Sequence, residues 1–510
     1  MIFDVRPRPL RSLSAVALAL VGWLFLRAAW LSDDAFITLR VADNLVHGYG
    51  PRWNVMERVQ VYTHPLWLAV LLPFYALTRE PLYTVALLQI AIMLLSLGLA
   101  AREIARTAGA GHALAFVVLC AGSRSVVSYA TSGLENPLAL LLLVVLVVDR
   151  GERPTRTVLV ASLLLLTRLD LALVAAPLVL HHLRPLGWRA RVRAIALGGL
   201  PLYAWEAFSL LYYGMLVPNT ALAKLATGID RSTLLAQGVK YYRSLGQWDP
   251  YGAALLWAGV GVGLVGRGRR LAIGLLAYGV YLLWIGGDFM AGRFFAVPIV
   301  LGAFLLCASP WPGRARQLVA LLPLFMLLAP HPRGFAWVRG LGQLWAKWGI
   351  LDERTYYWSN TGLLERGRAR DLDQHYYARF GRQLRGRGVV VESCIGMVGY
   401  YAGPSVHIVD PLALADPLLA RLPVADPKRF RIGHFERTVP DGYVDSVRLG
   451  KNVVADPDLA RYWDAVQLVT RGPLLDPARL RATAGLLLGR YDAARVAYVA
   501  RHPPAPTAGR

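Results

Sequence analysis

The chain has 510 residues, 56% of them hydrophobic, a mean hydropathy of +0.43 and a formal charge of +23. Only 17% are charged, against roughly 25% in a soluble domain. Much of the positive charge sits in short loops between apolar runs, which points to membrane orientation rather than nucleic-acid binding. The three cysteines, Cys120, Cys307 and Cys394, have neither the spacing of a disulfide framework nor that of a zinc site.

A helix needs about 20 apolar residues to cross the hydrocarbon layer. Read in order, the apolar runs predict spans near 12–31, 82–100, 110–123, 136–149, 155–167, 170–184, 194–213, 251–265, 271–286, 294–308 and 316–330. The first has no small-residue cleavage site behind it and reads as a retained helix rather than a signal peptide. From Pro330 onward the chain is polar and rich in Arg and Asp, so the sequence predicts a membrane domain, 1–330, and a soluble domain, 331–510. Val389–Glu392 and Val406–Val409 read as short buried strands, making the second a small α/β domain. The expected fold is therefore mainly α: a polytopic membrane protein with about eleven spans and a soluble C-terminal α/β domain.

The segment Tyr62–Leu77 decides the topology, because counting it as a span flips every later loop. Without it, one side collects Arg6, Arg8, Arg11, Arg102, Arg106, Arg150, Arg153, Arg156, Arg184, Arg189, Arg191, Arg193, Arg267, Arg269, Arg270, Arg314 and Arg316. Positive loops stay inside. Eleven spans with 62–77 in the outer interface satisfy that rule, and Pro65 and Pro73 suit an interfacial element. The N-terminus is then cytoplasmic, and the loops 32–64, 124–135, 214–250 and 286–293 face outward with the tail.

These outer loops hold the candidate chemistry. Ser32-Asp33-Asp34-Ala35-Phe36 opens a predicted amphipathic interfacial helix, 34–47. Helix capping alone explains an acidic start, but not the Tyr62-Thr63-His64-Pro65-Leu66-Trp67 that follows. Glu135 sits at a helix mouth, where capping is again the plain alternative. Asn219 and Lys224 follow a turn, which reads equally well as an ordinary loop. Asp288 and Arg293 bracket a Gly-rich joint, for which a Gly turn with a local ion pair suffices. Arg168 and Asp170 divide apolar runs too short for two full crossings, so they lie below the outer surface, where charge is costly. Either a mutual ion pair or a cavity holding an anion accounts for them. Together, carboxylates, Arg40, Arg168, Lys224, Arg293 and aromatics suit a phosphate on a lipid chain: an aspartate deprotonates an attacking hydroxyl and cations stabilise a departing phosphate.

Asp33-Asp34-Ala35-Phe36-Ile37-Thr38-Leu39-Arg40, with Asn44-Leu45, Gly48, Gly50, Asn54, Glu57-Arg58-Val59 and Tyr62 to Trp67, resembles the GT-C membrane glycosyltransferases. Within them the chain looks most like the terminal arabinofuranosyltransferases of cell-wall arabinan. Ser132-Gly133-Leu134-Glu135, Arg168-Leu169-Asp170, Pro218-Asn219-Thr220 with Lys224, Gly286-Gly287-Asp288 with Arg293, and the tail segment Gly396 to Pro417 follow that pattern in order. Gln60-Val61 and Leu169 depart from it where relatives tend to read Glu-Gly and Pro. The resemblance implies an inverting transferase at the extracytoplasmic face. Its donor is a polyprenyl-phosphate-linked sugar and its acceptor a cell-envelope glycan or lipid-linked glycan, with membrane lipid around it and no nucleic acid. Asp33 is expected as base with Asp34 beside it. Arg40, Arg168, Lys224 and Arg293 would handle phosphate, while Tyr62, His64, Glu135, Asp170, Asn219 and Asp288 complete the substrate site. The residues assign no particular cofactor, and a divalent cation is compatible with the carboxylates.

A transporter or flippase of a lipid-linked sugar is the rival reading. It would place polar residues near the midplane and show related halves, whereas the polar residues here crowd the outer ends. The topology predicts that cysteines replacing His47, Thr220, Met290 and Gly450 react with an impermeant thiol reagent in intact cells. Cysteines replacing Arg153, Ala190 and Gly268 should not, and labelling of this second set would sink the eleven-span arrangement.

Overall fold

The computed structural model describes residues 8–225, 227–328, 344–364 and 372–503. The domain boundary expected at residue 330, together with Arg6, lies outside the described residues. The fold is mainly helical, 67% helix and 3% strand. Among the described residues one helix, Pro81–Thr107, is long and apolar enough by itself to cross a membrane; the number is three if Leu13–Ala28 with Asp33–Val46, and Trp188–Gly198 with Leu200–Tyr212, are each one broken span.

The chain divides into two units. The first comprises Met1–Ser32, Leu82–Pro201 and Leu234–Arg370, the second Asp33–Pro81, Leu202–Thr233 and Asp371–Arg510. The helices of the first unit are runs of Leu, Val and Ala, several opened by proline at the first turn, where its missing N–H costs nothing. Ala296–Ala308 is buried at every position from Ala296 to Cys307, as an all-apolar helix must be. It packs on Pro250–Val265, and the two approach so closely that a Cβ on Gly259 would overlap the Gly302 carbonyl. At the head of Pro250–Val265, Asp249 accepts hydrogen bonds from Gly252 N–H (2.9 Å), Ser125 N–H (2.8 Å) and Ser123 Oγ (2.7 Å). One buried carboxylate thus caps a helix and holds the loop beside it. Elsewhere large apolar side chains face outward, among them Leu20, Trp23, Leu180 and Val280, a surface of the kind that meets lipid or a partner.

The second unit joins the helices Asp33–Val46 and Pro65–Thr78 to the tail. Val389–Val391 and His407–Val409 pair in parallel, Val390 opposite Ile408, within the two segments whose apolar runs predicted strands. Asn54 extends that pairing with its side chain: its amide donates to Ile408 O (3.1 Å) and its oxygen accepts Ile408 N–H (3.1 Å). Leu418, Leu419, Tyr443, Val447, Leu459, Trp463 and Val466 form the core of the unit, with Asp456 and Asp476 capping the helices Pro457–Arg471 and Pro477–Leu487.

Gly259→Val inserts volume where no rotamer fits, a change that typically costs about 1–3 kcal/mol. Thermal unfolding of the purified protein in detergent should show a clear loss for this variant. Gly261→Val, whose Cβ meets nothing within 4 Å, should leave the midpoint nearly unchanged; equal losses would refute the close approach.

Candidate functional site

Each unit gathers a set of the predicted residues. In the second unit Asp33 opens the helix Asp33–Val46, and its Oδ1 accepts the Met397 N–H at 2.8 Å. Gly396 lies so close that a Cβ there would overlap the Asp33 carboxyl, so glycine is required for the backbone to approach. Burial pushes the Asp33 carboxyl up to about 7; the Met397 and Gly396 N–H groups oppose that, and the neighbouring Asp34 charge adds to it. The result is a carboxylate held in place by donors yet able to take a proton near neutrality.

Arg40, two turns along the same helix, is buried. Its guanidinium donates to Trp53 O (2.9 Å), Gly399 O (2.7 Å) and Val406 O (2.7 Å), and lies 4.0 Å from the Trp53 ring centroid. Those contacts tie the helix to the tail. His64 Nε2 meets Thr38 Oγ1 at 2.7 Å, and Tyr62 OH meets Tyr213 OH at 2.9 Å. The Asn219 amide donates to the carbonyls of Ala413, Leu414 and Asp416, so it fastens its loop to the tail. Lys224 is exposed at the end of Asn219–Leu225. It bears electrostatically on His434, as do Arg431 and Asp34, and burial holds that imidazole down at about 4. His434, Arg431 and Met397 are the additions to this group that motif reading did not supply; the basic run Arg429 to His434 was the available signal.

In the first unit Glu135, Arg168, Asp170, Asp288 and Arg293 come together. Glu135 precedes the helix Asn136–Val148 but makes no side-chain cap, so helix capping does not explain it. Its loop is held by the buried Gln89, which donates to Leu134 O (2.5 Å) and accepts Gly133 N–H (2.9 Å). Arg168 Nε donates to Asp170 Oδ1 at 3.0 Å, its Nη2 pairs with Asp170 Oδ2, and Nη2 also reaches Tyr278 OH at 3.1 Å. Glu135 Oε1 lies 3.8 Å from Arg168 and 3.7 Å from Arg293, and Arg293 lies 3.7 Å from Asp288. Phe294 supplies an aromatic face to both guanidiniums, 4.6 Å from Arg168 and 5.5 Å from Arg293. The ion pair anticipated between Arg168 and Asp170 is present, and Glu135 bridges the two arginines. Three carboxylates thus face two guanidiniums in a cluster whose Glu135, Arg168 and Asp288 are buried. Among the described residues no group of three His, Cys, Asp or Glu is arranged to hold a metal ion.

Comparison with known proteins gives the chain relatives. It is 27% identical over 557 residues to the terminal β-(1→2)-arabinofuranosyltransferase of Mycobacterium tuberculosis, an alignment covering 84% of this chain and 84% of that protein. It is 30% identical over 400 residues to the protein of the same name from Corynebacterium glutamicum, covering 66% of this chain and 56% of that one. No family model and no solved structure matches. The chain is therefore homologous, over most of its length, to glycosyltransferases. The relatives are the terminal arabinofuranosyltransferases that its motifs resemble.

Removing one partner of a buried ion pair strands the other, a loss on the order of 3–5 kcal/mol. Arg168→Ala should therefore lower thermal stability sharply, and Arg168→Ala with Asp170→Ala should recover part of the loss. Strict additivity in that double-mutant cycle would show that the two side chains are not coupled.

Proposed function

We propose that the chain transfers a sugar of the arabinofuranosyl class from a polyprenyl-phosphate donor to a cell-envelope glycan, on the extracytoplasmic side of the membrane, with Asp33 as the general base. The observation that carries this reading is the Asp33 carboxyl, fixed by Met397 N–H against a glycine and raised to about 7. Catalytic bases work best near the operating pH. Asp33 takes the proton of the acceptor hydroxyl as its oxygen bonds to the anomeric carbon. The carbon–oxygen bond to phosphate breaks, and the phosphate leaves with the electron pair. Cations stabilise that departing charge, a role for Lys224 at the exposed end of its helix.

In this reading the eleven apolar stretches are membrane spans and 33–46 and 65–78 lie in the outer interface. Among the described residues helices lie in all eleven stretches, and with eleven spans the arginines of the short loops named above would share one side. Several helices are 12–16 residues long, roughly 18–24 Å at the α-helical rise, so they need local thinning or flanking residues at the interface. The names of both relatives describe transfer rather than transport, which favours the enzyme over the flippase.

The test is a panel of radiolabelled polyprenyl-phosphate sugars offered to the purified protein, with Asp33→Asn alongside. The base must be deprotonated, so kcat/KM should fall as pH drops below about 7 and level off above it. Asp33→Asn should fold normally, lose about 10²–10⁴-fold in rate and lose that inflection. Near-wild-type turnover by Asp33→Asn would remove Asp33 from the mechanism, and turnover by no donor in the panel would count against the transferase reading.

A further inference from the structure

In the first unit the helix Trp188–Gly198 takes no part in the transferase chemistry or in the ion-pair cluster. From residue 184 to residue 199 the chain carries four arginines, Arg184, Arg189, Arg191 and Arg193, and no acidic residue. Of the helix's 11 residues only Ala194 and Gly198 are buried, and these two show where it lies. A Cβ on Gly198 would meet Thr155 O and Val158 Cβ at 2.6 Å and Leu159 N at 2.9 Å. Ala194 clusters with Val158 and Leu183. Thr155, Val158 and Leu159 belong to the first turns of Pro154–Leu165, which Arg153 precedes, and Leu183 ends Ala172–Leu183, which Arg184 follows. The helix therefore packs against the ends of its neighbours, level with the basic loops, instead of along their apolar length.

Its surface is sorted by helical spacing. Trp188, Val192 and Ile195 share one face and are 69%, 56% and 41% exposed. Arg189 and Arg193, one turn apart, run along the edge of that face, with the Arg189 guanidinium 5.6 Å from the Trp188 ring centroid. Arg191 is spent on the carbonyls of Arg184 and Leu186 and holds the turn into the helix. The side chains of Arg153, Arg156 and Arg193, by contrast, make no hydrogen bond or ion pair among the described residues, and all three are exposed. An apolar face edged by unspent arginines fits a surface that is apolar beneath and anionic above. A nucleic acid would use the arginines and leave Trp188, Val192 and Ile195 in water.

We infer that Trp188–Gly198 lies in the plane of the membrane interface and binds anionic lipid. Trp188, Val192 and Ile195 enter the acyl region, while Arg189 and Arg193, with Arg153 and Arg156 beside them, face the headgroups. The inference rests on the reading of Pro154–Leu165 as a membrane span, and it moves residues 194–198 out of the stretch 194–213 and into the interface.

The experiment uses the full chain with Cys394→Ser and either Trp188→Cys or Ile195→Cys, labelled with a fluorophore; the remaining native cysteines, Cys120 and Cys307, are buried. The protein is reconstituted in vesicles of phosphatidylcholine and phosphatidylglycerol containing lipid with a nitroxide either near the headgroup or at the end of the acyl chain. Both labels should be quenched more by the headgroup-side nitroxide, and to the same extent. A span would set them about 10 Å apart in depth at the α-helical rise, and such a gradient would overturn the interfacial placement. Quenching by neither nitroxide would put the helix in water and overturn it too. A label at Leu163→Cys, within Pro154–Leu165, should instead favour the acyl-end nitroxide, and its failure to do so would refute the span reading separately. With the nitroxide near the headgroup, phosphatidylglycerol should quench the Ile195→Cys label at least about fivefold more effectively than phosphatidylcholine at equal amounts. Arg189→Gln with Arg193→Gln should reduce that preference by about fivefold or more, the scale of one arginine at an anionic surface. Equal quenching by the two lipids, or a preference unchanged by the double substitution, would overturn the assignment of anionic lipid.

Discussion

The second unit depends on the buried guanidinium of Arg40. It reaches three carbonyls from two distant parts of the chain and stacks on Trp53, and burial pushes its pKa down to about 9. At neutral pH it is still charged, so it must keep every one of those partners. The consequence runs one step further. Gly399, which Arg40 grips, lies in the short helix Met397–Ala402, whose start carries Gly396 and Met397, the groups that hold Asp33. Fixing Arg40 therefore fixes the distance between the start of the helix and the donors that position the carboxyl. The residue first read as a phosphate ligand is placed as the strut on which the proposed base rests.

The first unit solves a different problem with the same residue types. Buried charge is expensive unless compensated, and Arg168, Asp170, Glu135, Arg293 and Asp288 compensate one another while Phe294 covers both cations. Such a network is not a strong source of stability relative to an apolar core. Its value lies in holding polar groups in set positions. A substrate phosphate entering there would compete with Glu135 for Arg293, and any affinity would be what remains after that carboxylate is displaced.

The helices were legible in sequence because long Leu, Val and Ala runs admit little else, and both short strands fell where their apolar runs stood. The carboxylates and cations at the ends of the apolar runs stood out in sequence one by one, but that they divide into two groups, one in each unit, did not. What the sequence could not show was pairing across hundreds of residues. Arg40 with Gly399 and Val406, Asn54 with Ile408, and Asn219 with Ala413 each join a loop to the tail through backbone carbonyls. A carbonyl has no residue identity, so no motif marks it as a partner. Local reading could not decide between a capping and a site role for Glu135, for which the geometry shows no cap, and it left His434 unremarked in a basic loop.

That dependence on carbonyls also explains the composition. Five of the 55 basic residues are lysine, namely Lys224, Lys240, Lys347, Lys428 and Lys451, and the rest are arginine. Orientation by positive loops needs only charge, which lysine supplies equally well. Backbone clamping does not. A guanidinium offers five donors in a fixed plane, whereas an ammonium offers three on a flexible stem and is more strongly hydrated. Arg40, Arg437 and Arg479 are each almost wholly buried and each spans two or three carbonyls. Arg354 does the same kind of work in the other unit, donating to Ala28 O at 3.1 Å. The net charge of +23 is thus not one quantity with one purpose. Part of it sits in short loops between apolar runs, and part is interior hardware whose charge follows from the geometry it provides. Arg58 belongs to this second group, bonded to the carbonyls of Tyr212, Val469 and Gly472.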